Sequence, residues 1–321
     1  MSDFQRVRTT RGHDIYVDPA DARGRALAES RGSVNPRSLD LWRLVTGLAA
    51  WETVVDVGCN YGEMLLGAEL TAGARVIAFE PNPRILPYLR RTIAESGLDV
   101  DLRPVAVSDA EGVAEFDVDE EWSGTSGIHL ERGLGHEVTT VEVPVTTLDR
   151  ALDGIPAGPF CVKIDVEGFE QSVLRGAQGV FASHAEWAVM VEIEHQPAEV
   201  VAEWGSRYTM FLFDRTADAL VRVSPAGAEE VGALLASGRV HPQDAVIVSD
   251  GLLRAAERQD AAGRLTTAGE WARSVDARER EIVERDARIA ALEAELRDLR
   301  ASRSWRITAP VRAVGSRLRR R

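Results

Sequence analysis

Residues 54–64 read VVDVGCNYGEM and carry Asp56, Gly58, Asn60 and Gly62 at alternate positions. An apolar run that reaches an acid and then breaks into glycines describes a strand turning directly into a helix. Glycines let the backbone bend tightly there, and let a ligand approach where a Cβ would collide. A dinucleotide site would require glycines at 60 and 63, but this chain has Asn60 and Glu63. Glu63 also puts a carboxylate at the helix N-terminus, where a pyrophosphate would rest. A P-loop is excluded more simply, because no Gly-Lys-Ser/Thr follows. Glu80 closes the next apolar run, VIAFEP, about twenty residues on, the spacing at which an acid meets ribose hydroxyls. These features together suit a nucleoside that lacks a pyrophosphate. S-adenosylmethionine fits, with its cationic amino-acid end near Asp56 and its ribose diol at Glu80.

These residues need a scaffold, and the chain supplies one between about residues 51 and 250. TVVDVG, RVIAFEP, VDLRPVAVSD, FCVKIDVEG and WAVMVEIEH read as strands. EMLLGAEL, RILPYLRRTIAESG and FEQSVLRGAQGVFASH read as the helices between them. Strands rich in Val and Ile, apolar on both faces and separated by helices, predict a doubly wound, mostly parallel α/β sheet. YTMFLFD and ALVRVS form a predicted hairpin and, with DAVIVSD, close the same sheet. Residues 1–50 are expected to cap the substrate side, with a strand at DIYVD and a helix around Ala22 to Ser30. A second, amphipathic helix follows in SLDLWRLVTGL, with Ser38 as its N-cap.

Beyond this domain, residues 251–269 read as a linker or loose helix. Residues 270–303 read as a helix in which Ile282, Ile289, Leu292, Leu296 and Leu299 take a and d positions of a short coiled coil. That seam is the expected route to a homo-oligomer, through residues 275–300. Residues 304–321 form a basic tail in which Trp305, Ile307, Val311, Val314 and Leu318 accompany six arginines. Basic amphipathic character of this kind predicts contact with the anionic inner face of a membrane.

DVGCNYGEM, AFEPNP, PVAVSD, VPVTTLD and KIDVEGFEQSVLRGA occur in the order and spacing of a known family. Over residues 50–195 the chain resembles the FkbM family of S-adenosylmethionine-dependent methyltransferases. The resemblance implies a class I methyltransferase fold and O-methylation, often of a sugar or polyketide hydroxyl. It also implies that adenine lies by Ala106 and Val107, at the end of the third strand. Ligands of such sheets bind outside the carboxyl ends of the strands, so the acids there become candidates for the chemistry. Methyl transfer to a hydroxyl requires alignment and a base within about 3 Å. Asp165 and Glu167 stand two apart before Gly168, and close carboxylates repel until one becomes more basic, unless Lys163 neutralises one of them. His195, closing EIEHQP, is the competing base. Asp165, Glu167 and His195, with Glu192 and Glu194, could also form a hard-metal site. Their spacing is not diagnostic, so no metal ligand is assigned and Mg²⁺ is not favoured. The loop EEWSGTSGIHL, with Trp122 and His129, is expected to cover the acceptor.

The chain has 321 residues, 45% of them hydrophobic, and is therefore globular. Its net charge of −13 argues against nucleic acid as a partner. Two cysteines beside apolar runs, Cys59 and Cys161, are expected to be free core thiols. With no apolar leader visible in the N-terminal residues, a cytoplasmic location is expected. The leading expectation is an O-methyltransferase acting on a sugar hydroxyl of a glycan, glycolipid or glycosylated metabolite. Its rival is a non-catalytic methyltransferase-like scaffold for surface-glycan assembly.

Overall fold

The computed structural model describes residues 4–128, 137–215, 219–227 and 229–258. His129, the expected coiled coil and the basic tail lie outside them. The chain opens with a hairpin, β1 (Gln5–Arg8) and β2 (Asp14–Val17), then α1 (Ala22–Glu29) and α2 (Pro36–Gly47). The first sheet strands follow, with their crossovers: β3 (Thr53–Val57), α3 (Glu63–Gly67), β4 (Arg75–Phe79), α4 (Leu86–Ser96) and β5 (Val100–Arg103). An inserted region comprises β6 (Ala106–Val107), β7 (Gly112–Asp119), β8 (Gly127–Ile128) and β9 (Val138–Thr146), leading to α5 (Leu148–Ala151). The sheet resumes with β10 (Phe160–Ile164), α6 (Glu170–Arg175), α7 (Gln178–Ser183), β11 (Trp187–Glu192) and α8 (Ala198–Arg207). It closes with β12 (Thr209–Asp214), β13 (Ala219–Val223), α9 (Glu229–Ala236), β14 (Val240–Val248) and α10 (Asp250–Arg258).

The main sheet runs β13-β12-β14-β11-β10-β3-β4-β5. From β5 to β11 every pairing is parallel, while β14 runs antiparallel to both β11 and β12. The expected doubly wound, mostly parallel sheet is therefore present, closed by the predicted hairpin. Alternate side chains feed two apolar layers, as the two-residue strand period requires. Val55, Val57, Val162, Ile164, Val189 and Val191 pack on one face against α6 to α9. Val54, Cys161, Ala188 and Met190 pack on the other, against Leu41, Trp42 and Val45 of α2 and Leu252 of α10. Both cysteines are buried free thiols. Among the described residues no helix is long and apolar enough to cross a membrane.

Three local expectations are corrected. VDLRPVAVSD does not make one strand: β5 stops at Arg103, and β6 pairs instead with β9 of a separate four-stranded sheet. Pro104 lies at the break, where the lack of an N–H ends a ladder. Ser38 does not cap α2, which has Asn35 as N-cap and Pro36 in its first turn; the Ser38 hydroxyl donates to Asp244 Oδ2 at 2.6 Å. The long helix predicted after Gly168 divides into α6 and α7 around Gly176, which presses against the Ser108 carbonyl where a Cβ would lie 2.1 Å away.

Candidate functional site

The turn after β3 is held by its own geometry. Gly58, Asn60 and Gly62 all have positive φ, at 80°, 45° and 88°. A Cβ on Gly58 would lie 1.9 Å from the Asp165 carbonyl oxygen, so only glycine lets the turn pass the end of β10. Glu80 clamps the turn from below, accepting from Asn60 N and Asn82 N, both at 2.8 Å. Burial pushes the Glu80 carboxyl up to about 7, although both N–H groups and Lys163 pull the other way.

A cleft of about 640 Å³ lies above this turn. Gly58, Asn60 and Glu80 line its polar end, and Ala106, Val107, Phe116 and Phe169 supply an apolar slot. Ser123, Gly124, Ser126, Gly127 and Ile128 line it too. The loop expected to cover the acceptor therefore walls the cleft of the glycine turn, and Trp122 is not among its lining residues. Asp21 secures that wall: its carboxylate accepts from Ser123 N (3.0 Å), Ser123 Oγ (2.6 Å) and Tyr61 OH (2.7 Å).

A second cavity of about 630 Å³ shares Arg23, Gly58 and Asp165 with the first. Its wall is polar, with Ser33, Asn35, Ser38 and Gln243 beside Glu63, Lys163, Glu192 and Asp244. Arg23 pairs with Glu63. Burial opposes its charge, but Glu63, Asp165, Glu167 and Asp21 outweigh that and keep the guanidinium cationic. Burial pushes Asp244 up to about 7 against the Ser38 hydrogen bond. Glu192 is driven well above the carboxylate range, by burial first and then by Asp165, Glu167, Glu170 and Asp244.

Two expected cofactor residues lie off both walls. Asp56 is fully buried, and neither of its oxygens accepts a hydrogen bond; Lys163, its neighbour across β3 and β10, compensates it by charge at 3.5 Å. Burial raises the Asp56 carboxyl, with Lys163 opposing. The cause is strand parity, which turns Asp56 onto the face shared by Val54 and Cys161, beneath the turn. Gly62 meets Leu89, 3.0 Å from its would-be Cβ, and starts α3 in a left-handed conformation. Its work is in the turn itself.

The three expected bases also separate. Asp165 borders both cavities and pairs with Lys163 at 3.1 Å. Glu167, at φ 58°, places Oε2 3.5 Å from His195 Nε2, and neither residue lines either of these two cavities. Of the two alternatives for Asp165 and Glu167, Lys163 thus neutralises Asp165, while Glu167 contacts His195. Glu192 joins Glu167 and His195, with one ligand atom from each lying within 4.8 Å of the others. Arg23, Phe116, Phe169 and Asp244 were not singled out from sequence. Only the apolar alternation of AEFDVD gave a signal, for Phe116.

The chain matches the methyltransferase FkbM domain over residues 56–221, more than half its length, and belongs to that family. Solved structures similar to it include an O-methyltransferase from Bacillus cereus in complex with SAH. That chain is 12% identical, with 67% of this chain and 80% of the other covered and a TM-score of 0.34. Another is the O-methyltransferase TomG from Streptomyces achromogenes, involved in tomaymycin synthesis and bound to SAM, at 13% identity, 73% and 92% coverage and a TM-score of 0.36. No curated protein sequence matches the chain.

Proposed function

We propose that this protein transfers a methyl group from S-adenosylmethionine to a hydroxyl of a sugar, carried on a glycan, glycolipid or glycosylated metabolite. The observation that carries the proposal is the pair of cavities meeting at Arg23, Gly58 and Asp165. The first has the two ends a nucleoside needs, an apolar slot for a base and a buried acid at the second strand for a ribose. The second is lined by amides, hydroxyls and carboxylates, which suits a polyhydroxylated acceptor. The cationic Arg23 suits the carboxylate of the donor's amino-acid end.

Methyl leaves a sulfonium and bonds to oxygen in line, the sulfur keeping the electron pair of the broken bond as a neutral thioether. The enzyme supplies alignment across the shared wall and an acceptor for the hydroxyl proton. Of Asp165, Glu167 and His195, we assign the proton to Asp165, because it borders both cavities. Calorimetry with S-adenosylmethionine and S-adenosylhomocysteine tests the donor assignment. Binding of neither would favour the scaffold reading. Single alanine replacement of the three residues tests the acid–base assignment, which fails if Asp165→Ala keeps wild-type turnover at saturating acceptor.

A further inference from the structure

We propose that Glu167, Glu192 and His195 form a divalent-cation site beside the polar cavity, suited to an ion of the Mn²⁺ kind. It rests on the methyltransferase reading and deepens it on the acceptor side, and it takes up the metal that the sequence left possible but not favoured. The three residues come from two adjacent parallel strand ends: Glu167 follows β10, Glu192 ends β11, and His195 follows it. One imidazole and two carboxylates are a mixed nitrogen and oxygen set, which suits a transition-metal divalent ion such as Mn²⁺ better than all-oxygen Mg²⁺. Their ligand atoms all fall within 4.8 Å of one another. Oxygen and nitrogen ligands at about 2.0–2.3 Å from one ion lie at most about 4.6 Å apart, so small side-chain adjustment closes the shell.

A second observation is independent of the clustering. Glu192 Oε2 is sealed from solvent and accepts no hydrogen bond. An orphaned carboxylate oxygen is costly, the more so beside Asp165, Glu167, Glu170 and Asp244, whose charges act on it. The ion pairs of Lys163 are with Asp165 and Asp56. A cation held by Glu192 satisfies the orphaned oxygen and offsets the surrounding negative charge. Glu192 also lines the polar cavity, so coordination positions left free by the protein are accessible to acceptor hydroxyls. A cation there orients two neighbouring hydroxyls and makes one of them easier to deprotonate.

The full-length protein, stripped with chelator, is titrated with Mn²⁺ alone while the electron paramagnetic resonance signal of free Mn²⁺ is followed. S-adenosylhomocysteine affinity is measured on the same samples. The expected result is one Mn²⁺ per chain in a site whose affinity falls about tenfold or more in Glu192→Gln and in His195→Asn. Both variants should retain wild-type affinity for S-adenosylhomocysteine, which shows that they are folded. Absence of wild-type binding up to about 1 mM Mn²⁺, the weak end of functional sites, would overturn the proposal. Unchanged Mn²⁺ affinity in both variants would do the same. Bound S-adenosylhomocysteine without Mn²⁺ sinks the cation site and leaves the methyltransferase reading standing. Mn²⁺ lost in the variants, in a protein that never binds S-adenosylhomocysteine, supports the site and sinks that reading.

Discussion

Replacing Glu80 by alanine tests whether the acid at the end of β4 holds the glycine turn in place. The substitution leaves Asn60 N and Asn82 N without their acceptor, at a residue only 5% exposed. An unsatisfied buried donor costs about 1–3 kcal/mol, so the pair costs about 2–6 kcal/mol. The pH dependence has a definite sign. The folded carboxyl sits at about 7, above its ordinary value of 4.5. The folded state therefore keeps a proton that the unfolded state releases. This contribution to stability is complete below the unfolded pKa and lost as pH rises through about 7. Between about pH 5 and pH 8 the wild type should lose about 2–3 kcal/mol on this account. Glu80→Ala lacks that loss, so its deficit is largest at the acid end and shrinks by about the same amount at pH 8. Urea unfolding at the two pH values measures both quantities, and calorimetry should show S-adenosylhomocysteine affinity down about tenfold, 1.4 kcal/mol. A variant that matches the wild-type urea midpoint at both pH values would refute the clamp.

Gly58→Ala should destabilise more than Gly62→Ala, because its Cβ meets the rigid Asp165 carbonyl while that of Gly62 meets the movable end of Leu89. Both carry the left-handed backbone cost of about 1–2 kcal/mol, and equal urea midpoints would contradict the difference. Lys163→Met strips Asp56 of its compensating charge and should cost about 3–5 kcal/mol at pH 8. Since burial raises the folded Asp56 carboxyl, this deficit should shrink toward pH 5, as Asp56 takes up a proton; a deficit independent of pH would argue against the pairing. Removal of residues 302–321 should leave methyl transfer intact and release the protein from anionic vesicles. Equal sedimentation of the full-length and shortened forms with those vesicles would discard membrane docking by the tail.

Much of the scaffold could be read directly because its signals are local. The apolar runs ending at Val57, Phe79, Ile164 and Glu192 each carry the strand pattern in their own residues. Gly58 was legible for a similar reason, since a turn needing positive φ selects glycine where it occurs. Pro104 also stood in plain view, yet the extended pattern on either side of it concealed a change of sheet. The catalytic candidates were harder to sort. Asp165, Glu167 and His195 all sit at strand ends, but strand-end position does not state which neighbour each will meet.

From its order of residues alone, the chain determined a doubly wound sheet, a glycine turn after its first strand and an acid, Glu80, closing the second. Tertiary structure alone decided that Asp56 lies under the turn with Lys163, that Arg23 enters from α1, and that Glu192 stands opposite Asp244 across β11 and β14. The physical reason is that backbone preference acts over a few residues. Contacts among charges distant in the chain depend instead on strand order and register, which the burial of both sheet faces fixes only when the whole chain packs.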